Sequence, residues 1–327
     1  MGIVDVHGRV MRKLRVSLID TCNYGCFYCM PGVTPSQELS TSPEWLSPQE
    51  YGDICKYLVQ LGLREIRFTG GEPTLRLEFR DIIQNVIASC KNVLLKTSEQ
   101  EEPLKFALTS NGEWLESHLS FLKDVGCTHI NVSLDSLDPG KFERITRGGN
   151  LKKVLSSIQK AKELGFSVKV NAVMFRNINS DELLEFHNFS VTEQVEVRFL
   201  EFMKIGPTWK QNSERFISAQ EMIHVFENHV DLSSVPMPVD STSFNYTTSD
   251  GGKIGFIASE SQPFCGGCSR LRLSATGMLR ACLMKEDGLN VRNIPVEQYE
   301  STLKEVVAMK PTGRVHSIEQ GMYAIGG

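Results

Sequence analysis

The chain has 327 residues, enough for one large domain or two ordinary ones, and its 41% hydrophobic and 23% charged residues are those of a globular protein. A net charge of −4 without a basic stripe argues against a nucleic-acid partner, so any anionic ligand must be met by a few local Arg and Lys residues. No apolar run is long enough to span a bilayer, and the start, Met-Gly-Ile-Val-Asp-Val-His-Gly, lacks the marks of an export signal. With clustered thiols, the expectation is a cytoplasmic protein in a reducing compartment, with no membrane association.

Periodicity predicts alternating strands and helices from residue 12 to about residue 205, the pattern of a parallel sheet. Strands are expected at 14–19, 65–69, 105–108, 129–134, 167–173 and 195–201. The first helix opens at Ser47-Pro48, a capping residue followed by proline in the first turn. Others are expected near 77–89, 113–125, 151–164 and 181–189, with Gly62, Gly126 and Gly165 placed where helix ends favour glycine. Six β/α units predict an α/β fold, an incomplete TIM-like (β/α)6 barrel over residues 1–205. Beyond 205 the alternation stops, apart from short strand-like pieces such as 255–258, and a smaller C-terminal module over 206–327 is expected to close the barrel mouth.

The chemistry-bearing residues follow the strands. Cys22-x3-Cys26-x2-Cys29 comes directly after the first strand and offers three thiolates with no fourth ligand nearby. A closed structural zinc site takes four protein ligands, as a [4Fe–4S] cluster normally takes four cysteines. Three would leave one iron open for chemistry, against the plainer reading of a zinc knuckle or a disulfide with a spare thiol. Cys265-x2-Cys268-x13-Cys282 repeats the arrangement, and zinc stays open there although His316 is the only histidine downstream. Cys55, Cys90 and Cys127 stand singly and read as small buried hydrophobes. Cys22, the Gly70-Gly71-Glu72-Pro73 turn, Thr109-Ser110-Asn111-Gly112, Ser133 with Asp135, Asn171, and Glu201 with Met203 all fall at strand C-terminal ends. Barrel-type active sites are built there.

The first cysteine motif, with Tyr28 before its last cysteine, resembles the radical S-adenosylmethionine (SAM) superfamily. Adding the Gly70–Pro73 turn, the second triad, Arg270-x-Arg272 after it and the Ile325-Gly326-Gly327 end, the chain resembles the GTP 3′,8-cyclase family of molybdenum-cofactor biosynthesis from about residue 14 to 327. The resemblance implies a lyase that takes the ribose 3′ hydrogen of GTP and closes a ring onto guanine C8, giving (8S)-3′,8-cyclo-7,8-dihydroguanosine 5′-triphosphate. It implies two [4Fe–4S] clusters, one on Cys22, Cys26 and Cys29, the other on Cys265, Cys268 and Cys282. SAM contacts fall on Tyr28, Gly71, Ser133 and Met203, and GTP contacts on Arg15, Arg67, Thr109, Lys169, Arg270, Leu271 and Arg272. Arg198, in an otherwise apolar strand, needs a partner or a ligand and joins Gly326 and Gly327 as a candidate catalytic residue. Implied partners are an electron donor of the reductase, flavodoxin or ferredoxin type and a downstream cyclic pyranopterin monophosphate synthase, with a homodimer left open. The segment 90–103 is longer and more polar than the family pattern, and near the tail only Arg314 and His316 are basic. Two rivals are a radical SAM peptide-maturing enzyme with an auxiliary cluster and a zinc-stabilised adaptor without catalysis.

Overall fold

Along the central strands polar or charged residues alternate with apolar ones, as in Lys13-Leu14-Arg15-Val16, Glu65-Ile66-Arg67-Phe68 and Glu196-Val197-Arg198-Phe199. Successive side chains point to opposite faces of a strand. Such strands therefore bury one face under helices and line an interior with the other. The computed structural model describes residues 2–30, 35–94, 103–315 and 318–319 and has this arrangement.

A small antiparallel ribbon, β1 (Ile3–Val4) and β2 (Val10–Met11), precedes the main sheet. Six strands then pair in chain order, all parallel: β3 (Lys13–Ser17), β4 (Glu65–Thr69), β5 (Lys105–Ser110), β6 (His129–Ser133), β7 (Ser167–Met174) and β8 (Glu196–Glu201). They match the expected strands to within two residues at either end. The later strands are β9 (Leu232–Val235), β10 (Phe244–Thr248), β11 (Lys253–Ile257), β12 (Arg270–Leu273), β13 (Met278–Arg280) and β14 (Leu289–Asn290). Here β11 adds in parallel to β8 and β12 in parallel to β3, on opposite edges of the six. Residues on both sides of 205 thus share one sheet of twelve strands, whose order runs β14-β13-β12-β3-β4-β5-β6-β7-β8-β11-β10-β9. The two added strands do not pair with each other. Antiparallel neighbours, β10 on β11 and β13 on β12, take up their free edges and leave the barrel incomplete.

Helices cover the apolar face, where Leu14, Val16, Ile66, Phe68, Ile130 and Val132 are all fully buried. They are α1 (Pro48–Gln60), α2 (Phe79–Leu94), α3 (Leu119–Val125), α4 (Pro139–Thr146), α5 (Leu151–Glu163), α6 (Leu183–Glu193), α7 (Gly206–Asn212), α8 (Ala219–Glu227) and α9 (Tyr299–Ala308). Ser47 caps α1 in a reciprocal box with Glu50, satisfying two otherwise orphaned N–H groups. Gly126 ends α3 in the left-handed region at φ 99°, which glycine adopts without a Cβ penalty. The short α4 was not expected from periodicity. Its signal is local: Asp138 caps it by accepting from Lys141 N at 2.7 Å, and Pro139 opens the first turn. Among the described residues no helix is long and apolar enough to cross a membrane.

Candidate active site

The loop after β3 carries the first cysteine triad and is clasped by the turn after β4. Gly71 N donates to Ile19 O at 2.7 Å and Glu72 N to Thr21 O at 2.9 Å. A Cβ on Gly71 would lie 2.1 Å from Thr21 O, and one on Gly70, at φ 150°, 2.5 Å from Ile19 O. The glycines are therefore required by the protein's own backbone, next to Cys22, as much as by any ligand.

Glu72 is completely buried and ties this turn to the loop after β5. Its Oε1 accepts from Thr74 N, Thr74 Oγ1 and Ser110 Oγ, and its Oε2 from Asn111 N at 2.7 Å. Asn111 Nδ2 reaches Asn23 Oδ1 at 2.7 Å and Cys22 Sγ at 3.8 Å. A second contact to that sulfur comes from Tyr24 N at 3.4 Å. Burial raises the Glu72 carboxyl despite these donors. Burial, and then the Glu72 charge, push the Cys22 thiol up to about 12. Burial and Asp135 together raise Cys26 and bring Cys29 to about 12. Asp135 accepts from Tyr28 OH at 2.7 Å and from Val173 N at 2.8 Å, while burial lifts its own carboxyl to about 6. Tyr28 is thus oriented from the strand ends opposite its own loop.

The second triad is reached by the connection from β11 to β12. Glu201, at the end of β8 and 1% exposed, holds that connection through Glu260 N, Ser261 N and Ser261 Oγ, and also accepts from Ala219 N of α8. Glu201 is a staple between loops. Cys265 and Cys268 follow, and Cys282 lies just beyond β13. Burial raises Cys268, but Arg270 and Lys310 outweigh it and bring the thiol to about 6, with Arg270 Nη2 3.3 Å from the sulfur. Lys310 is 3% exposed and donates to Arg270 O and Ala281 O, both at 2.7 Å.

The interior face carries the charges that the alternation promised. Burial, followed by Arg272, Arg270 and Arg67, holds the Arg15 guanidinium well below its usual range. Glu196 accepts from Arg198 Nε at 2.5 Å, Lys169 Nζ at 2.8 Å and Asn245 Nδ2 at 2.9 Å. Arg67 pairs with Glu65 at 3.1 Å and leaves a buried Nη1 without a hydrogen-bond partner.

A cavity of about 340 Å³ joins these parts. Both triads line it, together with Tyr28, Gly71, Ser133, Met203, Arg15, Thr109, Arg270 and Arg272. Three expected residues, Arg67, Lys169 and Arg198, are not among its lining and stand in the ion pairs just described. Leu271 is fully buried in the hydrophobic core, so its side chain faces away from the arginines beside it. Gly326, Gly327 and His316 lie outside the described residues, as does most of segment 90–103. No disulfide joins any of the nine cysteines, and Cys55, Cys90 and Cys127 are buried as expected. Sequence reasoning missed Glu260 and Lys310, because a charged residue on an irregular segment reads as surface until the fold buries it.

A parallel β/α sheet with a three-cysteine loop after its first barrel strand is the mark of a SAM-dependent iron–sulfur radical enzyme, and residues 16–190 match the model of the radical SAM superfamily. Residues 195–315 match that of the Molybdenum Cofactor Synthesis C family. In fold, the chain is similar to the crystal structure of Streptococcus suis SuiB bound to S-adenosylmethionine, with a TM-score of 0.61 over 93% of this chain and 69% of that one at 11% identity. In sequence it is 42% identical to a Synechocystis GTP 3′,8-cyclase over 99% of this chain and 95% of the relative. It is 37% identical to the Aquifex aeolicus GTP 3′,8-cyclase over 93% and 91%. The chain belongs to the GTP 3′,8-cyclase family of radical SAM enzymes.

Proposed function

We propose that this chain closes GTP into (8S)-3′,8-cyclo-7,8-dihydroguanosine 5′-triphosphate, an early step of molybdenum-cofactor biosynthesis. The observation that carries the reading is a single cavity lined by both cysteine triads and by Arg15, Arg270 and Arg272. Cleaving SAM requires only the first triad. A second triad and cations facing the same space suit a nucleotide.

Cys22, Cys26 and Cys29 would hold one [4Fe–4S] cluster, and Cys265, Cys268 and Cys282 a second. The donor sets fit: each has three free thiols on one cavity. N–H groups of Tyr24, Arg270 and Met284 point at Cys22, Cys268 and Cys282, the kind of contact that tunes iron–sulfur centres. When bound, the first group would supply the electron that cleaves SAM, the source of the group that takes the ribose 3′ hydrogen, and the second would face the guanine base.

The chain's own residues bind and orient. Tyr28, fixed by Asp135, would meet SAM together with Gly71, Ser133 and Met203. Arg15, Arg270 and Arg272 repel one another in a buried space, so a polyanionic triphosphate relieves a cost already present in the free protein. Arg67 Nη1, buried without an acceptor, would gain one from a phosphate oxygen. Lys169 and Arg198, held by Glu196, would take further phosphate contacts by exchanging that carboxylate. Thr109, on the lining, would add a neutral contact. The Gly326-Gly327 end would enter the same cavity, whose lining includes Arg314 and Val315. The electron would come from a flavodoxin- or ferredoxin-type donor, and the product would pass to a cyclic pyranopterin monophosphate synthase.

Anaerobic incubation of the reconstituted protein with GTP, SAM and a reductant, followed by product mass analysis, tests the reading. A product isomeric with GTP and one 5′-deoxyadenosine per turnover are expected. Cys268→Ala should lose GTP binding while retaining some SAM cleavage. Modification of a peptide with GTP untouched would replace this reading by the peptide-maturing one.

A further inference from the structure

The segment after α9 returns to the cavity, whose lining includes Glu260, Arg314 and Val315, and is held at two points. Arg314 Nη1 donates to Glu260 O at 2.8 Å, and its guanidinium forms an ion pair with the Glu260 carboxylate, whose side chain is 4% exposed. Glu260 also accepts from Lys204 N at 3.2 Å, with Lys204 Nζ at 3.9 Å. Four residues on, Ile318 bridges Ile205 in parallel, accepts from Gly206 N at 2.8 Å and packs with Met203, Leu283 and Met284. Its neighbours adjoin both halves of the site: Met203 follows β8, and Leu283 and Met284 follow Cys282.

We propose that Arg314 is a positioning residue, pinning the chain at residues 314–315 and 318–319 against the cavity by its ion pair with Glu260. Removing the guanidinium leaves the Glu260 carboxylate buried with Lys204 as its one ion-pair partner among the described residues, an unfavourable state that the segment relieves by opening to water. A mouth that opens admits solvent and lets SAM cleavage run without cyclisation, because excluding water protects a reactive intermediate. The exposed Lys210–Glu319 pair is too solvated to replace the pin.

This inference rests on the proposed function only in its catalytic readout. Hydrogen exchange at the Gly206 amide reports the segment directly and needs no substrate. Arg314→Ala should speed that exchange about tenfold or more. Glu260→Gln, which keeps the shape and removes the charge, should give a smaller increase, and Arg314→Lys the smallest. The Ala219 amide, held by Glu201, should not change, which separates release of the segment from general unfolding. With GTP, SAM and reductant, the ratio of 5′-deoxyadenosine to cyclised product should rise in the same order at constant iron content. Unchanged Gly206 exchange in Arg314→Ala would overturn the pin. Faster exchange with an unchanged ratio would overturn its positioning role. A wild-type protein that makes no nucleotide product would sink the cyclase reading and leave the exchange result standing.

Discussion

Thiols around one cavity do not behave alike, because burial and neighbouring charge act on them in different balance. In the metal-free protein, burial beside Glu72 and Asp135 keeps Cys22 and Cys29 protonated, at about 12. The cations at Arg270 and Lys310 bring Cys268 to about 6. The thiolate is the reactive form, so Cys268 is already ionised at neutral pH, and its reactivity is lost as pH falls through about 6. Iodoacetamide footprinting of iron-free protein at pH 7 should therefore label Cys268 before any cysteine of the first triad. Equal labelling of all six would refute the charge assignment. Glu72 gives a second prediction at this scale. Its two oxygens satisfy four donors, and Glu72→Gln would turn an NH2 group toward at least one of them. A buried donor left unsatisfied costs about 1–3 kcal/mol. Urea unfolding should show a loss of that size, with iron lost from the first site before the second.

At the level of elements, the parallel strands were legible because each alternates polar and apolar residues. One face must meet helices, and the other must meet a ligand or counter-charges. The inward charged set Arg15, Arg67, Lys169 and Arg198 was readable as charge, but its division was not. Whether a lysine meets a phosphate or a glutamate on the next strand depends on register, and Lys169 lies directly across from Glu196. The glycine turn was legible as a close approach, but its partner was not: Thr21 O is the atom a side chain would strike. Gly71→Ala should therefore push the cysteine loop away. Iron bound at the first site should fall, read by iron analysis in a Cys265→Ala background that leaves the first triad as the intact one. Full retention of iron would show that the loop yields at little cost. Helix α4 escaped notice because eight residues give little periodicity, and only the Asp138-Pro139 pair marks its start.

For the whole molecule, the decisive feature is where the chain goes after β8. Its next parallel strand, β11, extends one edge of the six and β12 extends the other. The connection between them brings Cys265 and Cys268 to a cavity that the first triad already lines. A fragment ending at residue 205 would lack Ile254, Phe256, Leu271 and Leu273, each at most 1% exposed. It would also present β3 and β8 as open edges, which invite pairing with other chains. The fragment should aggregate or unfold without cooperativity, as sedimentation and thermal circular dichroism would show. A soluble fragment with a sharp transition would instead make residues 1–205 an independent domain.

Thiol spacing, strand alternation and the cap and turn residues are local properties, and they determined the chemistry class, the six central strands and the principal helices of the barrel before any contact was known. What only the tertiary structure decided is long-range. It set the placing of β11 and β12 on opposite edges, the use of Glu72 and Glu201 as staples between loops, and the pairing of Arg314 with Glu260 across 54 residues of chain. Those choices depend on which surfaces are buried together. A buried carboxylate or guanidinium must find a partner wherever the fold brings one, and nothing in the residues beside it says which partner that will be.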